Sequence, residues 1–86
     1  MNVPGRNKII AKQVQIAENI RMLMARDRIS VEQLAQYIGR KPSYVNMRKN
    51  FTKYGRTYTS EELSDIAQLF RVPLEVLICG KLRPDD

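Results

Sequence analysis

Six basic side chains lie between residues 40 and 56, and they are the residues of this sequence best suited to bind a ligand. They are Arg40, Lys41, Arg48, Lys49, Lys53 and Arg56, here called the basic set. No Asp or Glu occurs from Gln33 through Ser60, so this stretch carries +6, equal to the net charge of the whole chain. Cations concentrated in this way are typical of a surface that contacts nucleic-acid phosphates, and a merely solvated basic face is the alternative.

The basic set overlaps a pattern typical of two short helices joined by a tight turn. Ala35 is small enough to let a second helix cross close to the first. Gly39 can adopt the positive φ that ends a helix and reverses the chain. Pro42 fits the first turn of a helix, where its missing N–H costs nothing. The stretch therefore predicts a helix-turn-helix, which places most of the basic set on its second helix and the loop that follows.

Four residues of this second helix are candidates to contact base edges. The spacing turns Val45 toward the core and leaves Ser43, Tyr44, Asn46 and Met47 facing outward. Asn46 can pair with an adenine edge, and Tyr44 or Met47 can touch a thymine methyl group. Helix capping competes with a base or phosphate contact for Ser43, and packing or a phosphate contact competes for Tyr44. The basic set is assigned to phosphates, and four such contacts would give a salt slope of about −3.6.

The composition disfavours catalysis and metal binding. The chain has no His, so neither a His-based triad nor a His-containing zinc site can be built. Cys79 lies in an apolar stretch and is expected to be a buried, inert thiol. Glu61, Glu62 and Asp65 lie where the start of a helix favours negative charge, which explains them without acid–base chemistry. We therefore expect no enzyme activity, no metal and no cofactor.

The length and the cysteine count bound the class of protein. A chain of 86 residues is sufficient for one small domain. The single cysteine cannot form an internal disulfide, which favours a reducing compartment. No apolar run approaches the roughly 20 residues of a membrane span, and no signal-peptide pattern occurs at the N-terminus. The expected localisation is the cytoplasm.

Five helices are predicted to position the site. Their approximate bounds are 8–26, 31–38, 42–49, 60–70 and 73–79. Ser30 is expected to cap the second helix, and Thr59 with Glu62 fits a capping box at the fourth. Residues 50–59 are expected to form a loop with pinned aromatic side chains, with a small hairpin or wing as the alternative. A flexible arm over 1–8 and a tail over 81–86 would flank a domain over 9–80.

These residues together resemble the lambda-repressor-like (Cro/repressor, xenobiotic-response-element type) DNA-binding domain. The resemblance is carried by Ile16 to Ser30, by Leu34-Ala35 with Ile38-Gly39 and Ser43-Tyr44-Val45, and by Leu63 with Ile66-Ala67 and Phe70 to Leu77. It implies an all-α, five-helix domain whose third helix lies in the major groove. It also implies a bacterial or phage-encoded protein.

Three features depart from the family pattern. Pro42 stands where the family usually has Gln or Ser, and Arg48 stands where it has an apolar residue. The segment over 50–59 is also longer than usual. We expect Arg48 to lie on the phosphate backbone, with Met47 or Phe51 turning inward to fill the gap.

The expected function is that of a sequence-specific transcriptional regulator, a Cro-like repressor that binds an operator in double-stranded DNA. A homodimer is expected, either through Leu74, Leu77, Ile78 and Leu82 or formed only on DNA. Two alternatives stay open. One is an antitoxin-type or other protein-interaction module, and the other is an accessory DNA-architecture protein with little sequence preference. No membrane and no small-molecule ligand are expected among the partners.

Overall fold

The computed structural model describes the backbone of residues 4–79 and the side chains of residues 11–78. Within these bounds the chain is all-helical, with six helices and no strand. They are α1 (Pro4–Asp27), α2 (Val31–Ile38), α3 (Pro42–Arg48), α4 (Phe51–Tyr54), α5 (Ser60–Phe70) and α6 (Leu74–Cys79). The predicted all-α class is confirmed, whereas the predicted number of five helices is wrong for the described residues.

The additional helix is α4, a single turn in the segment expected to be a loop or hairpin. Asn50 begins it, because its side chain accepts a hydrogen bond from the backbone N–H of Lys53 at 3.1 Å. Gly55 ends it at a φ of 65°. Between these two residues the aromatic and β-branched side chains are typical of a strand, and this composition concealed the helix from the sequence analysis.

The first helix is longer than predicted. It begins at Pro4 rather than near residue 8, so residues 4–8 of the expected arm are helical. Pro suits this position because the first N–H groups of a helix have no partner within the helix. Residues 1–3, the tail over 81–86 and the side chain of Cys79 lie outside the described residues. Within the described part, no helix is long and apolar enough to cross a membrane.

The core combines aliphatic side chains from five of the helices with the aromatic rings of Phe70 and Tyr58. Ile20, Leu34, Val45, Ile66 and Leu77 are all completely buried. In the tertiary packing, α2 lies against both α3 and α5, and α1 lies against α4, α5 and α6. Burial of each such side chain contributes roughly 1.5–3 kcal/mol, so the core is the main source of stability.

Leu77 cannot serve the homodimer contact expected of it. The residue is 0% exposed and belongs to the core, so a partner could reach it only if α6 detached. Leu74 is 37% exposed, and Ile78 is half-buried. Leu82 lies outside the described residues. The expected surface on α6 is therefore reduced to Leu74 and part of Ile78.

A buried polar residue that the sequence analysis did not single out joins α1 to α6. Asn19 is 0% exposed. Its Nδ2 donates to the carbonyl oxygen of Leu77 at 3.0 Å, and its Oδ1 accepts from Gln15 Nε2 at 3.0 Å. Because a buried amide needs such partners, Asn19 fixes the position of the last helix on the first.

Two arginines of α1 reach the C-terminal ends of other helices. Arg21 Nη1 donates to the carbonyl oxygen of Lys49 at 2.7 Å, at the end of α3. Arg26 Nη2 donates to the carbonyl oxygen of Phe70 at 2.9 Å, at the end of α5. The last carbonyl groups of a helix have no partner within it, and a cation there also opposes the helix dipole. The two arginines therefore tie α3 and α5 to α1.

The predicted caps of the helices are confirmed. The Ser30 side chain accepts from the Gln33 backbone N–H, and the Gln33 side chain accepts from the Ser30 N–H, which completes a capping box at α2. Thr59 and Glu62 form the same arrangement at α5. Gly39 ends α2 in the left-handed conformation with a φ of 73°. The turn between α2 and α3 therefore forms where the sequence placed it.

Gly39→Ala is expected to lower the free energy of unfolding by about 1–2 kcal/mol, because an L side chain is strained at this φ. No atom lies within 4 Å of a Cβ added at Gly39 or Gly55, so the cost at both positions is conformational. Gly55→Ala is the matched comparison, and Gly39→Asn should recover part of the loss because Asn tolerates the left-handed region. Urea denaturation measures all three variants. A Gly39→Ala protein as stable as the wild type would contradict this account.

Candidate nucleic-acid interface

The third helix is attached to the domain mainly along one side. Val45 is the only buried residue of α3, as its spacing predicted. Ser43, Asn46 and Met47 are exposed, and Met47 retains 37% of its accessible surface. Three of the four predicted base-contacting residues therefore lie on an open face of α3.

Tyr44, the fourth candidate, has structural partners. Its hydroxyl donates to Glu62 Oε1 at 2.6 Å. Two guanidinium groups lie close to its ring, with Arg48 Cζ 3.3 Å and Arg40 Cζ 4.8 Å from the ring centroid. Cations at these distances are attracted to the face of an aromatic ring. The structure thus places Tyr44 at a junction, half-buried, with its hydroxyl bonded to Glu62.

Glu62 is the centre of this junction, and it is only 5% exposed. Its Oε2 accepts from Arg40 Nε at 2.9 Å. Its Oε1 accepts both the Tyr44 hydroxyl and the Thr59 backbone N–H, the latter at 2.9 Å. The sequence indicated only the contact with Thr59, because the capping box is local and the two other partners are distant in the chain.

The ionisation of Glu62 follows from these contacts. Burial alone would raise the pKa of its carboxyl group, but the hydrogen bonds from Tyr44, Thr59 and Arg40 outweigh burial and lower the pKa below its ordinary value. The pKa of the Tyr44 hydroxyl is raised by burial and by its hydrogen bond to Glu62. At neutral pH the junction therefore holds a carboxylate, a neutral phenol and two guanidinium groups.

Arg48 is tied to the protein backbone on two sides. Its Nε donates to the Thr57 carbonyl oxygen at 2.9 Å, and its Nη1 donates to the Tyr44 carbonyl oxygen at 3.2 Å. The side chain therefore links α3 to the segment between α4 and α5 while stacking on Tyr44. Of the two residues expected to turn inward beside it, Phe51 is half-buried and Met47 is exposed.

The other side chains of the basic set are mostly exposed to solvent. Lys41, Lys53 and Arg56 are exposed, and Lys49 is half-buried. The ammonium group of Lys53 lies 5.1 Å from the centroid of the Tyr54 ring. Among the described residues, Arg40 is the only member of the basic set that forms an ion pair. Five cations on α3 and in the segments that flank it therefore have no paired carboxylate in the described part of the chain.

An open groove lies beside α3 and the turn that precedes it. Its lining consists of Gly39, Arg40, Lys41, Ser43, Tyr44, Met47 and Arg48. The lining combines polar and apolar side chains of α3 with the cations of Arg40, Lys41 and Arg48. This arrangement suits a polyanion with a mixed polar and apolar edge.

Comparison with known proteins adds no assignment to this surface. No family model, no curated protein and no solved structure matches the chain. The functional interpretation therefore depends on the geometry and charge of the site itself.

Glu62→Gln is expected to reduce the loss of stability in acid. The pKa of this carboxyl lies below its ordinary value of 4.5 in the folded protein. The carboxylate therefore contributes stability that is fully present above about pH 4.5 and is lost as the pH falls through the folded-state pKa. Urea denaturation measures the free energy of unfolding between pH 7 and pH 3. The difference in this free energy between wild type and variant should become smaller as the pH falls. Glu61→Gln, at an exposed neighbouring position, is the control and should show the same dependence of the free energy of unfolding on pH as the wild type. If wild type and Glu62→Gln also showed the same pH dependence, the lowered pKa of Glu62 would be contradicted.

Tyr58→Phe is expected to raise the free energy of unfolding by about 1 kcal/mol at pH 7, because it removes a buried hydroxyl with no hydrogen-bond partner among the described residues. Burial raises the pKa of Tyr58 above its ordinary value of 10.0. The unfolded chain therefore ionises first, and the free energy of unfolding of the wild type falls as the pH rises above 10. The variant should lose less stability above pH 10. Tyr37→Phe, at an exposed position, is the control, and a destabilised Tyr58→Phe would contradict the account.

Proposed function

We propose that the chain is a sequence-specific DNA-binding transcriptional regulator and that α3 enters the major groove of duplex DNA. The observation that carries this proposal is the exposed face of α3, which Val45 holds on the domain and which is flanked in the chain by cations that have no paired carboxylate among the described residues. The major groove of B-DNA is about 12 Å wide and admits an α-helix. The cations then lie where the phosphates on either side of the groove would pass.

The arrangement of α2 and α3 supports a helix-turn-helix of the lambda-repressor-like kind. In this proposal α2, the turn at Gly39 and α3 form the motif, with α5 packed against α2 and α4 packed against α3. The single turn of α4 is an insertion in the longer segment after α3. It displaces none of the other helices from the predicted order.

Within this proposal, the contacts divide between bases and phosphates. Ser43, Asn46 and Met47 are the base-contacting residues, because their side chains are exposed on α3. Tyr44 contributes the surface of its ring rather than its hydroxyl, which is bonded to Glu62. Lys41, Lys49, Lys53 and Arg56 are the phosphate contacts, whereas Arg40 and Arg48 are held by the protein.

We also propose a homodimer on a pseudo-palindromic operator, with half-sites about 34 Å apart. The remaining exposed part of α6 around Leu74 is the candidate contact, and assembly only on DNA is the alternative. Sedimentation of the protein with and without its operator measures this stoichiometry. A monomer in both samples would exclude the dimer while leaving the proposed interface of α3 intact.

Selection of bound sequences from a random duplex pool at physiological salt tests the function. A palindromic consensus is expected. Asn46→Ala should then weaken binding to the consensus by about 1–3 kcal/mol and relax the preference at one base pair. Lys53→Gln should weaken binding to all sequences and reduce the salt slope by about 0.9. Lys12→Gln, which removes a cation from outside the basic set, is the control.

The outcomes of this selection separate the three classes of protein. Enrichment of one sequence with the expected effects of Asn46→Ala and Lys53→Gln supports the regulator. Salt-dependent binding without enrichment indicates a DNA-architecture protein. The absence of duplex binding overturns the proposal and favours a protein-interaction module.

A further inference from the structure

Among the described residues, Arg40 is the one member of the basic set that is paired with a carboxylate, that of Glu62. Arg40 lies in the turn between α2 and α3, and its side chain is 49% exposed. The Glu62 side chain is only 6% exposed and meets Arg40 Nε at 2.9 Å. One edge of the guanidinium group therefore faces a buried carboxylate, while the rest of the group borders the groove along α3.

The helix cap at α5 does not require this negative charge. The capping box of α2 uses the neutral side chain of Gln33 in the same position that Glu62 occupies in α5. Gln and Glu serve this box equally because each offers an oxygen to the N-cap N–H. The hydrogen bond from the Tyr44 hydroxyl also needs only an oxygen acceptor. The charge of Glu62 therefore acts on Arg40 rather than on the cap.

A phosphate that approaches Arg40 meets an ion pair rather than a free cation. The attraction of Arg40 for the phosphate is then opposed by the carboxylate beside it, and the opposition is strong because Glu62 is poorly screened by solvent. The other five members of the basic set meet no such opposition within the described residues. Attraction to phosphates is independent of base sequence, so the pair lowers the affinity for every duplex alike.

We infer that Glu62 is a specificity-determining positioning residue: it withholds the charge of Arg40 from DNA of any sequence, and by holding Arg40 it keeps that cation against the Tyr44 ring on α3. The inference rests on the proposed function and deepens it. Glu62 touches no base or phosphate in this account. It acts through Arg40 and Tyr44, which border the groove.

Glu62→Gln is the variant that tests this role, because it keeps the cap and an acceptor for Tyr44 while removing the charge. One added phosphate contact makes the salt slope steeper by about 0.9, which corresponds to roughly eightfold tighter binding to random duplex at 0.1 M salt. Binding to the selected consensus should tighten less, because a released Arg40 no longer holds the Tyr44 ring. The ratio of specific to non-specific affinity should therefore fall.

Two controls isolate the pair. Glu61→Gln removes the same charge from the exposed neighbouring residue and should change the salt slope by much less. In an Arg40→Gln background, Glu62→Gln should give no gain in affinity, because no cation is left to release. Fluorescence anisotropy with a labelled random duplex and with the consensus, at several salt concentrations, measures all five proteins. Urea denaturation at pH 7 confirms that each variant is folded.

The results distinguish this inference from the proposed function. Three results would overturn the inference without affecting the proposed function. They are equal salt slopes for Glu62→Gln and Glu61→Gln, a gain in affinity from Glu62→Gln that persists in the Arg40→Gln background, and an unchanged ratio of specific to non-specific affinity. A wild-type protein that binds neither random duplex nor any enriched sequence would overturn both.

Discussion

The attachment of α3 to the rest of the domain is the constraint on which the other features of the structure depend. A helix of seven residues is not stable alone in water, so tertiary contacts must hold it. The chain holds it with one buried side chain, Val45, and with polar contacts at the edges of the helix, where Tyr44 and Arg48 bind groups from later in the chain. These contacts leave one face of the helix exposed. The open face is thus a consequence of anchoring at the sides.

The polar contacts beside α3 also determine which of its neighbouring cations are paired with a carboxylate. Arg40 and Arg48 both lie close to the Tyr44 ring, and Arg40 is paired with Glu62. The other is bonded to backbone oxygens and retains its charge without a carboxylate in the described part of the chain. Two arginines that look equivalent in the sequence therefore differ in what they can offer to an anion.

The sequence predicted the features that depend on neighbours in the chain. The caps at Ser30 and Thr59, the left-handed turn at Gly39 and the inward position of Val45 each follow from residues a few positions apart. The junction around Glu62 joins residues separated by 18 and 22 positions, and no local pattern encodes it. The helix α4 escaped prediction for a different reason, since a single turn is too short to show helical periodicity.

The two arginines of α1 that bond to the ends of α3 and α5 have a consequence for cooperativity. Both helices end on carbonyl groups that depend on a donor from the first helix, in addition to the core that they share with it. Fraying at either end thus exposes an orphan acceptor and leaves a guanidinium group without its bond. The position of the exposed face of α3 is in this way fixed partly by the first helix, through Arg21 at the end of α3.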